Sequence, residues 1–219
     1  MTTDDDRSLI ESTLYERLLA DMTNGQFHNG TPLRVQSLAQ KYGSSANPVR
    51  EVLRRMEGEG LVEFKKNKGA TVATLDRQQV VNIFELIRLI EPYLAAGFAK
   101  VCTSDQVDEL ARVQENIRET SQMDRVRFGE KDMLFHQLIA QGHYNEAAVR
   151  TWMSKRQLLN TLTRRKVLTK GRHLAVLAEH DQLIEAFRAN DVERATAVIT
   201  THIDGAGQAL SAHLDTDMA

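Results

Sequence analysis

Residues 93–219 contain no proline, although the chain carries three, at Pro32, Pro48 and Pro92. Proline in a helix interior removes a hydrogen bond and crowds the carbonyl four residues back. A tract this long without one suits a succession of helices. From Asp76 onward apolar residues recur at helical spacing, giving six helices at roughly 76–100, 104–121, 124–142, 145–166, 172–189 and 191–213. Thr103/Ser104 and Asn190/Asp191 supply start signals. "FELIRLIEPYLAAGFA" is apolar on most of its circumference and is expected to be central.

The preceding stretch reads differently. "LIESTLYERLLADMTNG" places Leu14, Leu18, Leu19 and Met22 at helical spacing and stops at Asn24-Gly25. "LRVQSLAQKYG" is a short second helix ending in Gly43. Ser45 is placed to cap a third, "ANPVREVLRRMEGEG", whose Pro48 falls in the first turn, where a missing N–H costs little. Two β stretches follow, Val62–Lys66 and Ala70–Thr74, joined by the turn-forming "NKG". Three helices and a basic hairpin make a winged helix-turn-helix. The boundary is expected near Leu75–Asp76, giving units 1–75 and 76–219. The fold class is mainly α, a winged helix-turn-helix followed by an all-α six-helix bundle.

Charge gives the first unit a partner class. The whole chain is at net charge −2. Residues 31–75 nevertheless hold Arg34, Lys41, Arg50, Arg54, Arg55, Lys65, Lys66 and Lys68 against Glu51, Glu57, Glu59 and Glu63. A local positive face is enough to meet a polyanion. On periodicity alone, a helical subdomain with a solvated basic hairpin explains the segment equally well. With one cysteine, Cys102, neither a disulfide framework nor a thiolate cluster is expected. No apolar run approaches membrane-spanning length, and "MTTDDDRSLI" is acidic where a secretory signal would be basic and then apolar. A cytoplasmic protein without a membrane partner is expected.

"SSANPVREVLRRMEGEGLVEFKKNKGATV" resembles the DNA-binding domain of the GntR family of bacterial transcription regulators. Ser45, Pro48, Val49, Arg50, Glu51, Leu53, Gly60, Leu61, Val62, Gly69, Ala70 and Val72 fit its recurring form. The resemblance implies that the third helix enters the major groove of double-stranded DNA by its N-terminal end. Ser45, Asn47, Arg50 and Arg54 would meet bases or phosphates, and Lys66, Asn67, Lys68 and Gly69 would carry the wing to the backbone or minor groove. Ala46 stands where the family usually has arginine, so one base contact is missing and operator preference does not transfer from relatives.

The second unit poses a chemical question. In "EKDMLFHQLI", Asp132 and His136 are four apart and share a helix face with Phe128, Phe135 and Ile139. His180 precedes Leu183, Ile184 and Phe187, and His202 follows Ala195, Val198 and Ile199 at similar spacing. Taken singly, each is best explained as a hydrogen-bonded core histidine. Together with Asp132, on three separate helices, they also match the way a bundle core assembles a metal site.

"FELIRLIEPYLAA", "DMLFHQLIAQGHYN", "EHDQLIEAFRANDVERA" and "THI" are similar, in order, to the FCD ligand-binding domain of FadR-type GntR regulators, in a six-helix, VanR-like form. With the first unit, the resemblance spans about Leu14 to Leu214. It implies a divalent ion (zinc, nickel, manganese or iron, with zinc expected on purification) held by Asp132, His136, His180 and His202. Four protein ligands on an octahedral ion leave two positions for a small carboxylate effector.

Arg88 and Arg156, each on an apolar stripe, are candidates for the effector's anion pocket; internal ion pairs, with Glu85 or Glu91 for Arg88, are the competing reading. Asn145 matches the family too, with helix capping as its alternative. The basic "RTWMSKRQLLNTLTRRKVLTKGRH" stretch is read as mostly solvated, and His143, His173 and His213 as surface or outer residues. The function implied is a homodimeric regulator, a repressor at a palindromic operator. The alternatives are a metalloenzyme using the same Asp/His set, or a sensor of the ion itself.

Overall fold

The computed structural model describes residues 4–66, 69–120, 124–163 and 168–216. The chain forms two compact units, Met1–Leu75 and Asp76–Ala219.

The first unit contains α1 (Asp4–Thr23), α2 (Val35–Tyr42), α3 (Ala46–Gly58), β1 (Val62–Lys65) and β2 (Gly69–Val72). α3 buries Val49, Val52, Leu53 and Met56, one face at helical spacing, and exposes Arg50, Glu51, Arg54 and Arg55 on the other. α1 and α2 both pack on α3, and Leu14, Leu18, Met22 and Leu38 close the core. The turn into α3 depends on Gly43, whose φ of +64° ends α2 in the left-handed conformation; its N–H meets the carbonyls of Ala39 and Gln40. Ser45 occupies the N-cap position of α3 in extended backbone but makes no side-chain cap bond, contrary to the sequence expectation. β1 and β2 pair antiparallel from Val62↔Val72 to Lys65↔Gly69, with a bridge from Pro32 to Thr71 at the outer edge.

The second unit comprises α4 (Arg77–Val101), α5 (Ser104–Arg118), α6 (Arg125–Ala140), α7 (Glu146–Thr163), α8 (Lys170–Arg188) and α9 (Val192–Thr216). Capping boxes open α4 (Asp76 with Gln79) and α5 (Thr103 with Gln106). Asp124, Thr169 and Asp191 accept backbone N–H groups at the starts of α6, α8 and α9. α4 is central, packing against α6, α7, α8 and α9, and it runs on through Pro92. Its apolar circumference exceeds its buried face, however: Ile87, Leu94, Ala95 and Phe98 are buried, while Leu89 is 76% exposed. Among the described residues, no helix is long and apolar enough to cross a membrane.

Candidate functional site

The interior of the second unit is polar at one place. α6 carries Asp132 and His136 one turn apart, α8 carries His180 and α9 carries His202. One donor atom from each lies within 4.8 Å of all the others. The histidines are 1%, 0% and 2% exposed. Asp132 is less enclosed, its side chain 20% exposed, with Oδ1 at 3.9 Å from His136 Nε2 and 3.6 Å from His180 Nε2. Phe128, Phe135 and Ile139, on the same helix as Asp132 and His136, are all buried. Phe135 lies flat on the His180 ring, centroids 4.0 Å apart.

Each imidazole has a second residue behind it. His202 Nδ1 lies 2.8 Å from Glu179 Oε2. His180 Nδ1 lies 3.1 Å from Gln114 Oε1, and the Gln114 amide is turned that way because its Nε2 donates to the Leu177 carbonyl and to Asp181. His136 Nδ1 lies 2.6 Å from Glu91 Oε1, close in distance but out of line for a hydrogen bond. Nε2 of His136 and of His180 is buried with no hydrogen-bond partner. Leaving such an atom unsatisfied costs roughly 1–3 kcal/mol, so the arrangement needs something at its centre. Three converging imidazoles, those of His180 and His202 held through Nδ1, with one carboxylate beside them, fit a divalent ion.

The electrostatics agree with neutral rings. Burial, followed by the neighbouring histidines and arginines, pushes His180 well below its ordinary pKa. Burial also lowers His202, with the Glu179 hydrogen bond opposing it. Burial alone would raise Glu91 and Glu179, but the Arg156 guanidinium holds the first, and hydrogen bonds from His202 and Arg172 hold the second, below the ordinary carboxylate range.

A cavity of about 120 Å³ opens beside these four residues, with Asp132 and His202 in its wall. Arg156 and Arg172 line it as well. Arg156 is forked to Glu91 at 2.7 and 3.2 Å and lies 3.9 Å from Asp132. Arg172 donates to Glu179 and to the His202 carbonyl, and its buried Nε has no partner. The rest of the wall is largely hydrocarbon, including Phe84, Phe128, Met133, Leu159, Val176 and Leu210.

Arg88 is not part of this cavity. It is 53% exposed and pairs with Asp204 at 2.7 Å, so neither Glu85 nor Glu91 is its partner. Glu91 serves Arg156 instead. Asn145 accepts the Ala148 N–H at 3.1 Å and caps α7, away from the cavity. His173 is buried against Phe128 rather than at the surface, and His213 lines the cavity. His143 is half-buried, with Nδ1 accepting from the Asn145 N–H. Sequence reasoning missed Glu91, Gln114 and Glu179 behind the histidines, and Arg172 in the wall.

In the first unit, Asn47 and Arg50 stand together at the exposed start of α3, Arg50 Nη1 donating to Asn47 Oδ1 at 2.9 Å. Arg54 is exposed, 3.9 Å from Glu51, and Ser45, Lys66 and Gly69 are exposed too. Asn67 and Lys68 lie outside the described residues. Lys41 is occupied by Asp21, and Arg55 lies over the Tyr15 ring and pairs with Glu59.

Residues 82–205 match the FCD domain family, and residues 10–72 match "Bacterial regulatory proteins, gntR family". The galactonate operon transcriptional repressor of Escherichia coli (strain K12) is 24% identical over 205 aligned residues, covering 83% of this chain and 88% of that protein. The gluconate operon transcriptional repressor of Bacillus subtilis (strain 168) is 22% identical over 187, covering 83% and 76%. The solved structure of E. coli McbR/YncC shares the fold, with a TM-score of 0.78 at 17% identity over 89% of this chain and 93% of that one.

Proposed function

We propose a ligand-tuned repressor, starting from the family: the chain belongs to the gntR family of bacterial regulatory proteins and carries an FCD domain. It is a DNA-binding transcription regulator and not an enzyme. Its operator binding is modulated by a small carboxylate at a divalent ion in the second unit. The observation that carries this reading is the cavity whose wall combines Asp132 and His202 with two partly buried arginines, Arg156 and Arg172.

Asp132, His136, His180 and His202 would hold the ion, zinc, nickel, manganese or iron. When bound, it supplies a Lewis-acidic centre for a carboxylate. The chain's own residues do the rest. Glu179 and Gln114 fix the His202 and His180 rings, Glu91 lies beside His136, and Arg156 and Arg172 place fixed positive charge at the cavity wall. The galactonate and gluconate operon repressors carry carboxylates in their names, which supports an acid as the ligand here. A ligand that favours one arrangement of the chain shifts operator affinity by its differential binding. The first unit would read DNA through Asn47 and Arg50 at the start of α3, helped by Ser45 and Arg54, with Lys66, Asn67, Lys68 and Gly69 of the wing. As a homodimer it would meet a palindromic operator, because two such units read half-sites related by the protein's symmetry.

An electrophoretic shift on the DNA flanking the chain's own gene tests the reading, run with metal-loaded and chelator-treated protein and a panel of small acids. The expected result is a shift that a carboxylate changes only in the metal-loaded protein. A shift set by metal alone would make the ion itself the effector. One indifferent to both would remove the regulatory role of the second unit.

A further inference from the structure

The cavity's wall specifies more than an anion. Besides Asp132 and His202, most polar groups of its described lining have partners: Arg156 and Arg172 are ion-paired, with only the buried Arg172 Nε left over, Thr163 donates its hydroxyl to the Leu159 carbonyl at 2.7 Å, and His213 is engaged within the chain. The Asn160 side chain makes no hydrogen bond to another described residue, and its Oδ1 sits where a side chain on Gly129 would collide. The remaining described lining is largely hydrocarbon on five helices, with Phe84 from α4, Phe128 and Met133 from α6, Leu159 from α7, Val176 from α8 and Leu210 from α9.

We infer that the effector is a monocarboxylate with a compact hydrocarbon body and at most one polar substituent, set against Asn160, rather than a polyhydroxylated acid. This rests on the carboxylate reading of the site given above. The physical ground is hydrogen-bond supply. A six-carbon sugar acid brings five hydroxyls, each needing partners once out of water. A wall whose described residues offer one uncommitted amide and one spare guanidinium N–H leaves most of them unsatisfied, at roughly tenfold or more in affinity apiece. A hydrocarbon body gains instead from contact with Phe84, Phe128 and Met133. The cavity is also small, about 120 Å³, which suits a compact body. The named relatives are repressors of galactonate and gluconate operons, so the wall points this chain to a different acid.

Isothermal titration of the zinc-loaded full chain with benzoate, hexanoate, gluconate and benzamide separates the two layers of the argument. Benzoate or hexanoate should bind at least tenfold more tightly than gluconate, and benzamide, which has the same body without the charge, should bind far more weakly than benzoate. Gluconate equal to or tighter than both apolar acids overturns the inference while leaving the carboxylate anchor standing. Benzamide as tight as benzoate overturns the anchor itself, and the inference with it, as does a chain that binds none of the four. Val176→Thr supplies a second measurement, because it changes a wall methyl to a hydroxyl at nearly constant shape. With its unliganded melting temperature checked first, it should narrow the preference for hexanoate over gluconate. An unchanged ratio would mean that the ligand's body does not lie on this wall.

Discussion

Glu179 Oε2 lies 2.8 Å from Nδ1 of His202 while its other oxygen takes a hydrogen bond from Arg172 at 2.7 Å. One carboxylate thus orients the ring of a proposed metal ligand and positions a cationic wall residue. Loss of a residue behind a metal-binding histidine typically costs 10–100-fold in metal affinity. Glu179→Gln should therefore weaken zinc binding by roughly that factor while keeping all four proposed ligands. A competition titration against a chromophoric chelator measures it, and unaltered affinity would reduce Glu179 to a simple partner of Arg172.

The DNA contacts divide by kind. Arg50, held beside Asn47 at the start of α3, should carry sequence preference. Arg50→Ala is expected to cost roughly 1–3 kcal/mol on the operator and little on random DNA. Lys66→Ala should weaken both equally and make the salt dependence shallower by about one charge. Binding isotherms at several salt concentrations distinguish these outcomes. Operator affinity unchanged in Arg50→Ala would remove α3 as the reading helix.

Gly205 offers a way to disturb the cavity without emptying it. A Cβ there would stand 2.6 Å from Arg172 Nη1, the far end of a flexible side chain, so the guanidinium rather than the backbone must give way. Alanine also favours a helix interior by about 1 kcal/mol over glycine, offsetting the displacement. Gly205→Ala should melt close to the parent protein yet respond to effector at higher concentration. A large loss of melting temperature with an intact response would show that the contact is structural only.

Much of the architecture is written in local pattern. The capping boxes at Asp76 and Thr103, the left-handed turn at Gly43 and the helical recurrence of apolar residues are short-range features, and the six helices of the second unit stand near the places they indicate. Asp132 and His136 were visible as a pair because they are one turn apart. Glu91, Gln114 and Glu179 were not, because each meets its histidine across two helices, at separations of 45, 66 and 23 residues for which no spacing rule exists. Arg88 misled for a related reason. The apolar residues around it on α4 suggested burial, but Leu89 and Arg88 share that helix's exposed side. Arg172 was lost among the basic residues of a segment read as solvated.

His180 and His173 sit on one helix and are both buried, which makes their comparison a test of what the interior histidines are for. His180 Nε2 faces Asp132, whereas His173 packs against Phe128 with centroids 5.1 Å apart. Replacing either with alanine removes a buried ring, so both variants should lose melting temperature and that loss alone decides nothing. An ion bound only by the folded chain adds stability by mass action, about 4 kcal/mol when free metal is a thousandfold above Kd. Chelator should therefore lower the melting temperature of the parent protein and of His173→Ala by similar amounts. In His180→Ala the metal content should fall and the response to chelator largely disappear. Metal analysis beside paired melting curves reads both quantities. Equal metal content and equal chelator response in the two variants would make His180 an ordinary core histidine, stacked on Phe135 and bonded to Gln114 for the sake of packing.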